Sequence, residues 1–127
     1  MQTIKEMATE QKELIQLCYN AIVEKKGEEI LVLDIRGLTS VADFFVICHG
    51  TSSRQVLAIS DNVEKVLRKG GFKKYHIEGK QIGSWVLMDF SDLIVHIFNE
   101  PTRGFYALEK LWFDARKLDM EETSVGD

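Results

Sequence analysis

The sequence lacks any apolar run near the roughly 20 residues that a helix needs to span a bilayer. Its amino terminus, M-Q-T-I-K-E-M, has neither the charged head nor the long apolar core of a signal peptide. Cysteine is scarce, since Cys18 and Cys48 are the only two, and no C-x-x-C spacing occurs. Both lie within apolar segments, so we expect reduced core thiols and no zinc site. These absences predict a cytoplasmic protein with no membrane partner.

The chain also has fewer basic than acidic residues. The chain has 16 Lys and Arg against 20 Asp and Glu, which gives a formal net charge of −4 at pH 7. Broad binding to nucleic-acid phosphates needs a basic surface, so this balance argues against DNA and is compatible with a basic protein as partner. A length of 127 residues with a hydrophobic fraction of 45% is typical of one soluble domain with a real core.

No catalytic signature such as G-x-S-x-G or H-E-x-x-H is present. The segment Gly50–Ser53 precedes a predicted helix, but it matches neither a P-loop nor a dinucleotide turn, so we interpret it as the start of a capped helix. Asp89 and Asp92 lack the alternate spacing of a two-metal carboxylate pair. The sequence therefore predicts no catalytic residue, cofactor or metal. A metal-dependent nucleotidyl- or phosphotransferase built on these residues remains the alternative.

Hydrophobic periodicity predicts the order helix, two strands, helix, three strands, helix. The predicted helices run from Thr3 or Thr9 to Lys26, from the capping box Ser52–Gln55 to Gly70, and along an apolar stripe from Phe105 to Ala115 after the break at Asn99–Thr102. The predicted strands cover 30–35, 44–48, 73–78 and two arms within 83–98. This order is typical of an α/β (α+β) fold with helices packed on a mixed five-stranded sheet. We expect one domain over residues 1–118 and an acidic, disordered tail over 119–127.

The stretch Gly83–Phe98 organises the prediction as a hairpin. A turn at Phe90-Ser91 pairs Trp85 with His96, Leu87 with Ile94, and Asp89 with Asp92, and places all six on one face. The other face is wholly apolar and must meet a core; it carries Val86, Met88, Leu93, Val95 and Ile97. Trp85 is the strongest interface candidate, because tryptophan is enriched at binding hot spots. His96 has no accompanying nucleophile and is interpreted as a hydrogen-bonded structural residue.

Three ordered segments resemble the ribosomal silencing factor family, also called RsfS or Iojap. They are A-D-F-F-V-I-C-H-G-T-S-S-R-Q-V-L-A-I-S-D (Ala42–Asp61), E-G-K-Q-I-G-S-W-V-L-M-D-F-S-D-L-I-V-H-I-F (Glu78–Phe98) and R-G-F-Y-A-L-E-K-L-W-F-D-A (Arg103–Ala115). With the preceding strand, the resemblance covers residues 10 to 117.

The resemblance implies a nucleotidyltransferase-like fold without known transferase activity, and hence no enzyme. It implies binding to the large ribosomal subunit through the ribosomal protein numbered fourteen, a minor contact with ribosomal RNA, and a homodimer when free. Bound there, such a factor blocks joining of the small subunit, which represses translation or keeps subunits apart during ribosome biogenesis. Carried onto this chain, the partner-binding residues are Trp85, Met88, Asp89, Phe90 and Asp92. A dimeric scaffold for some other partner is a third hypothesis.

Overall fold

A computed structural model describes residues 9–107, 110 and 112–120 of the chain. Within these residues the chain forms three helices and six strands. In chain order they are α1 (Thr9–Glu24), β1 (Glu28–Asp34), β2 (Phe44–Gly50), α2 (Ser53–Lys69), β3 (His76–Glu78), β4 (Trp85–Asp89), β5 (Leu93–Asn99), α3 (Glu100–Tyr106) and β6 (Arg116–Lys117). None of the helices in this part of the chain is long and apolar enough to cross a membrane.

The six strands form one mixed sheet in the order β3-β4-β5-β2-β1-β6. The central strands β2 and β5 run parallel, and every other neighbouring pair runs antiparallel. Parallel strands need a long crossover, which α2, β3 and β4 supply here. The predicted mixed sheet packed with helices is confirmed. Its sixth strand, β6, pairs with β1 over only two residues and is too short to leave a pattern in the sequence.

Helices α1 and α2 cover one face of the sheet and enclose the main core. The predicted stripe of α1 is buried there; it consists of Leu14, Ile15, Cys18, Ala21 and Ile22. The predicted apolar face of the hairpin meets the same core, and its members are all 0% exposed: Val86, Met88, Leu93, Val95 and Ile97. Burying each large aliphatic side chain contributes about 1.5–3 kcal/mol relative to leaving it in water.

The start of α2 is capped as predicted. The Ser52 hydroxyl accepts a hydrogen bond from the Gln55 amide at 3.1 Å. The Gln55 side chain does not bond back to Ser52; its Oε1 accepts from the Thr51 amide at 2.7 Å, and its Nε2 donates to the Lys26 carbonyl at 2.9 Å. One glutamine therefore closes the cap and also ties α2 to the turn between α1 and β1.

The third helix differs from its prediction. It starts at Glu100. Pro101 lies in its first turn, where a backbone amide has no hydrogen-bond partner within the helix, so a proline, which lacks that amide, is tolerated there. Its predicted extension to Ala115 is wrong, since residues 112–114 form a turn and the chain then enters β6. Ala115 and Leu118 are nevertheless buried, at 7% and 6% exposure, so the apolar character of these two positions reports burial and not helix.

Some predicted features lie outside the described residues. These are the helix start at Thr3, the stripe positions Leu108 and Leu111, and residues 121–127 of the predicted tail. Of that tail the structure describes Asp119 and Met120, and Met120 packs against the main core.

The hairpin of β4 and β5 has a register two residues away from the predicted one. The pairs are Trp85 with Phe98, Val86 with Ile97, Leu87 with His96, Met88 with Val95, and Asp89 with Ile94. Side chains alternate along a strand with a period of two, so this shift keeps each strand residue on its predicted face. Only Asp92 loses its predicted place in the strand pairing, because it precedes β5 and lies in the turn.

The turn itself explains the shift. The Phe90 amide donates to the Leu93 carbonyl at 2.8 Å, which leaves Ser91 and Asp92 as the loop. The Asp92 amide then donates to the Phe90 carbonyl at 3.0 Å, and Ser91 adopts a φ of 74°. A bond between residues two apart is that of a γ-turn, which sequence patterns for β-turns do not predict.

Two glycines with similar backbone angles provide a stability test. Gly79 (φ +92°) lies so close to the Trp85 carbonyl that an added Cβ would clash with it, whereas Gly37 (φ +86°) has nothing within 4 Å. Gly37→Ala should lower the free energy of unfolding by about 1–2 kcal/mol, the cost of a left-handed backbone alone. Gly79→Ala should lower it by roughly a further 1–3 kcal/mol through the clash. Urea unfolding of both variants checks this, and equal losses would contradict it.

Candidate functional site

The face of the sheet opposite α1 and α2 carries the candidate site. Its apolar residues form a second buried cluster, made of Leu33, Ile35, Ala42, Phe45, Ile47, Ile94, Phe98 and Ala115. Four partly buried side chains pack on its rim: Leu31, Trp85, Leu87 and Trp112. This face therefore presents aromatic surface at the rim of a rigid sheet, and we call it the Trp85 face.

Trp85 is half-buried and held in one orientation. Its indole ring lies 4.8 Å from the Phe98 ring, centroid to centroid, at an interplanar angle of 30°. Its Nε1–H donates to Nδ1 of His96 at 3.2 Å. A tryptophan fixed before binding loses little side-chain entropy when a partner covers it, which is a property of interface hot spots.

His96 is the buried partner that orients Trp85. It is 4% exposed and meets the edge of the Phe45 ring at a centroid distance of 4.9 Å. Burial lowers the pKa of His96 from 6.5 to about 4, so the ring is neutral at pH 7. Because Nδ1 accepts from the indole, the proton of the neutral ring is on Nε2, which has no hydrogen-bond partner among the described residues. The hydrogen bond expected for His96 is present, and its partner is the indole of Trp85.

Acidic groups gather where β4 ends and β5 begins. Asp89 is half-buried, and its carboxylate accepts a hydrogen bond from the Ser91 amide at 2.8 Å. Asp92 is exposed, and its carbonyl accepts from the Asp43 and Phe44 amides at 2.9 Å each. These bonds fix the turn against the start of β2. Asp89 alternates onto the same face as Trp85, and Asp92 lies exposed in the adjoining turn, so we call these two residues the acidic end of the Trp85 face. Asp89 lies four residues from Trp85 along the strand, about 13 Å at the usual rise.

Two of the predicted partner-binding residues do not reach this surface. Met88 is 0% exposed and Phe90 is 5% exposed, and both pack in the main core. Met88 alternates onto the face covered by helices, and Phe90 turns inward at the end of the hairpin. The structure thus brings Trp85, Asp89 and Asp92 to the surface, and it adds the half-buried Leu87 between them.

The residues of the transferase alternative lie far apart. Gly50 pairs with Asn99 at the last residue of β5, whereas Asp92 directly precedes its first residue. The seven residues of β5 separate them by about 20 Å. Two of the amides at this turn are also occupied, because Thr51 and Gln55 donate to side-chain oxygens. Among the described residues, no three His, Cys, Asp or Glu side chains are grouped to hold a metal ion.

Sequence patterns missed a buried polar contact at that end of the sheet. Arg103, at 8% exposure, donates from one terminal nitrogen to the Glu29 carbonyl at 2.7 Å and lies 3.0 Å from Nδ1 of His49. This links α3 to the start of β1 and the end of β2. A ligand site at the carboxyl ends of parallel strands would fall here, but the Arg103 side chain fills the position. The only sequence signal is that Arg103 opens the third resemblance segment.

Comparison with known proteins gives a consistent result. A family profile described as "Ribosomal silencing factor during starvation" matches residues 8–126. The chain is 43% identical over 110 residues to a ribosomal silencing factor RsfS of Halalkalibacterium halodurans, covering 87% of this chain and 94% of the relative. It is 40% identical over 111 residues to the RsfS of Bacillus subtilis, with the same coverage of 87% and 94%.

A solved structure and a mitochondrial relative extend the comparison. A crystal structure of a Chromobacterium violaceum protein superposes with a TM-score of 0.79 at 32% identity, covering 94% of this chain and 95% of that one. A mouse protein named "Mitochondrial assembly of ribosomal large subunit protein 1" is 30% identical over 101 residues, covering 77% of this chain and 44% of its own length. The fold and the sequence thus point to the same group of proteins.

The burial of His96 predicts a pH dependence of stability. Between pH 6.5 and 4 the unfolded chain binds a proton at this position that the folded chain does not, so stability falls as the pH falls. The effect reaches on the order of 3 kcal/mol by pH 4 and is absent above pH 6.5. His96→Asn, which retains an acceptor for the indole but does not titrate, should lose less stability on acidification. Urea unfolding at pH 7.5 and 4.5 measures the difference, and parallel losses in both proteins would contradict it.

Proposed function

The chain belongs to the ribosomal silencing factor family, and we propose that it binds the large ribosomal subunit and sterically prevents the small subunit from joining. The family match over residues 8–126 carries this proposal. The relatives' names describe regulators of the ribosome and not enzymes. The name of the mouse relative concerns assembly of the large subunit, which supports the choice of subunit. The protein would act in the cytoplasm and repress translation when it occupies its site.

The Trp85 face supports a protein as the direct partner, and we take this to be the ribosomal protein numbered fourteen. Trp85 and Leu87 supply an apolar centre, and Asp89 with Asp92 supplies an acidic end that matches a basic surface. The apolar centre would provide most of the affinity. The carboxylates would mainly speed association and set the orientation. Since occupancy alone blocks the small subunit, no chemical step is needed.

Two further parts of the proposal concern the free protein. We propose that residues 1–118 form the single domain that carries the activity, with the acidic segment 119–127 outside it. We also propose that the free protein is a homodimer, which dissociates or rearranges when the ribosomal partner binds.

The direct experiment is a sucrose gradient with purified subunits, with the protein added before the small subunit. We expect the protein to sediment with the large subunit and to reduce the joined-ribosome peak in proportion to its occupancy. Protein that stays at the top of the gradient, with the joined peak unchanged, would overturn the proposal.

Substitution of Trp85 tests the apolar centre. Trp85→Ala should weaken binding to the large subunit at least tenfold, because hot-spot truncations lose about 2 kcal/mol or more. Trp85→Phe keeps a ring but loses the donor to His96, so its affinity should lie between those of Trp85→Ala and the unchanged protein. Binding is measured by co-sedimentation, with circular dichroism to show that each variant is folded. Unchanged affinity in a folded Trp85→Ala protein would remove Trp85 from the interface.

A double substitution tests the acidic end. Asp89→Asn with Asp92→Asn keeps the shape of both side chains and an acceptor for the Ser91 amide. The association rate with large subunits should fall several-fold at low salt, and the difference should shrink as salt screens the charges. Glu13→Gln with Glu28→Gln, at exposed positions on α1 and β1, removes the same two charges; this control should leave the rate unchanged. Stopped-flow fluorescence gives the rates; equal effects in both proteins would show that only net charge matters.

A further inference from the structure

Two cavities adjoin at the loop that follows α2. The first has a volume of about 380 Å³ and includes Arg68 in its lining; we call it the α2 cavity. The second has a volume of about 300 Å³ and includes Tyr75 and Asp92; we call it the turn cavity. Both volumes are in the range of small-molecule sites. Three residues line both cavities, so the two share a boundary: Gly71, Phe72 and Lys73.

The α2 cavity is positively charged. Arg68, Lys73 and Lys74 line it, and all three are exposed. Its carboxylate, Glu64, is already paired with Lys74 at 2.7 Å and with Lys80 at 3.5 Å, and the hydrogen bond from Lys74 lowers the pKa of Glu64. Within the part of the chain that the structure describes, Arg68 and Lys73 have no carboxylate partner. The α2 cavity therefore offers uncompensated positive charge.

The backbone brings these cations together. Gly70 ends α2, and Gly71 reverses the chain with a φ of +90°, which returns Lys73 to the same cavity as Arg68. The helix dipole attracts cations to the last turn, which accounts for Arg68 and Lys69 but not for Lys73, since Lys73 lies outside the helix. Like charges held side by side repel each other, and an anion between them would remove that repulsion.

The turn cavity carries mostly the opposite charge. Glu10 and Asp92 line it, and both are exposed. No described residue donates a hydrogen bond to the Asp92 carboxylate. Tyr75, at 66% exposure, contributes a ring, and its amide donates to the Asp89 carbonyl at 2.8 Å, which fixes its backbone beside the hairpin. This cavity therefore offers acceptor oxygens and an aromatic surface.

The two charges define the chemistry of a ligand that fills both cavities. Its end in the α2 cavity must be anionic, and phosphate suits a guanidinium, which binds it through two parallel hydrogen bonds. Its end in the turn cavity must donate hydrogen bonds, because an ionised carboxylate only accepts them. Guanine has two neighbouring N–H donors on one edge, whereas adenine has an acceptor beside its amino group. Any base can also stack on an exposed aromatic ring.

We propose that the two cavities together bind a guanine nucleotide. Its phosphates lie on Arg68 and Lys73 in the α2 cavity. Its base donates to the Asp92 carboxylate in the turn cavity and stacks on Tyr75. Lys73 lines both cavities and so contacts the phosphate nearest to the sugar.

A longer polyanion is the competing occupant, and the charges fit it less well. A chain of phosphates that filled both cavities would lie against Glu10 and Asp92, where like charges repel. A nucleotide carries its phosphates at one end only and matches the division of charge between the cavities.

A nucleotide at this site would compete with the large subunit. Asp92 belongs to the acidic end of the Trp85 face, so a base that occupies its carboxylate removes that group from the partner. This consequence rests on the proposed function, whereas the binding of the nucleotide does not. Competition of this kind is reciprocal, so the large subunit would also weaken nucleotide binding. A fall in nucleotide concentration would then release the protein to silence ribosomes.

Isothermal titration calorimetry tests the site without ribosomes. GTP, ATP and sodium tripolyphosphate are titrated into the full chain at one magnesium concentration. GTP should bind at least roughly tenfold more tightly than tripolyphosphate, because only GTP stacks and meets the carboxylate, and more tightly than ATP. No binding of GTP at concentrations up to about 1 mM would overturn the proposal. Equal affinities for GTP and tripolyphosphate would overturn the assignment of the base.

A charge-matched pair of variants tests the phosphate end. Arg68→Gln with Lys73→Gln should weaken GTP binding roughly tenfold or more, since hydrogen bonds to charged groups are lost. Arg54→Gln with Lys25→Gln removes the same charges at exposed positions and should bind GTP like the unchanged protein. Arg54 lies 14 residues before Arg68 on α2, about 21 Å away. Urea unfolding shows that both proteins are folded, and equal losses of GTP affinity would overturn the assignment.

Substitution of Asp92 tests the base end. Asp92→Asn places an amide donor where guanine also donates, so GTP binding should weaken several-fold. Tripolyphosphate does not reach Asp92, so its affinity should not fall. Equal losses for the two ligands would contradict the placement of the base.

The competition is measured with purified large subunits. Saturating GTP should raise the dissociation constant of the unchanged protein for the subunit at least about fivefold, and it should have no effect on Arg68→Gln with Lys73→Gln. Protein that binds GTP but binds the subunit equally well with and without it overturns the competition and leaves the proposed function standing. Protein that binds GTP but never binds the subunit overturns the proposed function and leaves the nucleotide site standing.

Discussion

The parallel pairing of β2 with β5 is the interaction on which the rest of the structure depends. All seven residues of β2 are buried, and each pairs with a residue of β5, from Phe44 with Leu93 to Gly50 with Asn99. Main-chain hydrogen bonds in that dry position are strong and have no water to compete for them. This pairing sets which face of the adjoining hairpin meets the helices. It thereby directs Met88 inward and Trp85 outward, and the candidate site follows from it.

The Trp85 face combines rigidity with a local energetic cost. His96 accepts the indole proton but leaves its own Nε2 without a hydrogen-bond partner among the described residues. An unpaired buried donor costs about 1–3 kcal/mol, which an aliphatic residue would avoid. A cost of this kind is typical of positions kept for function, where orientation of a neighbouring group matters more than stability. The fixed orientation of the Trp85 indole offsets this cost of burying the His96 donor.

Local sequence signals predicted much of this fold because they report burial faithfully. The stripe of α2 and the two faces of the hairpin follow from periodicity, and the Ser52 cap follows from the capping-box pattern. The errors arise where burial and conformation separate. Ala115, the last residue of the predicted stripe, is buried, but the chain reaches it through a turn and then enters the sheet edge. The register of the β4–β5 hairpin depends on a γ-turn at Ser91, which the sequence pattern did not predict. Met88 and Phe90 were assigned to the partner-binding surface through the resemblance, although their side chains face the core.

The two central strands, β2 and β5, lie far apart in the sequence, which has a consequence during synthesis of the chain. Forty-two residues lie between Gly50, the end of β2, and Leu93, the start of β5. At the usual 5–20 residues per second, a ribosome needs roughly 2–8 s to make that interval. During that time β2 can pair with β1 along one edge, while its other edge has no partner strand. The nascent protein thus exposes an apolar strand edge for seconds, and α2, completed early in this interval, is the element able to shield its face.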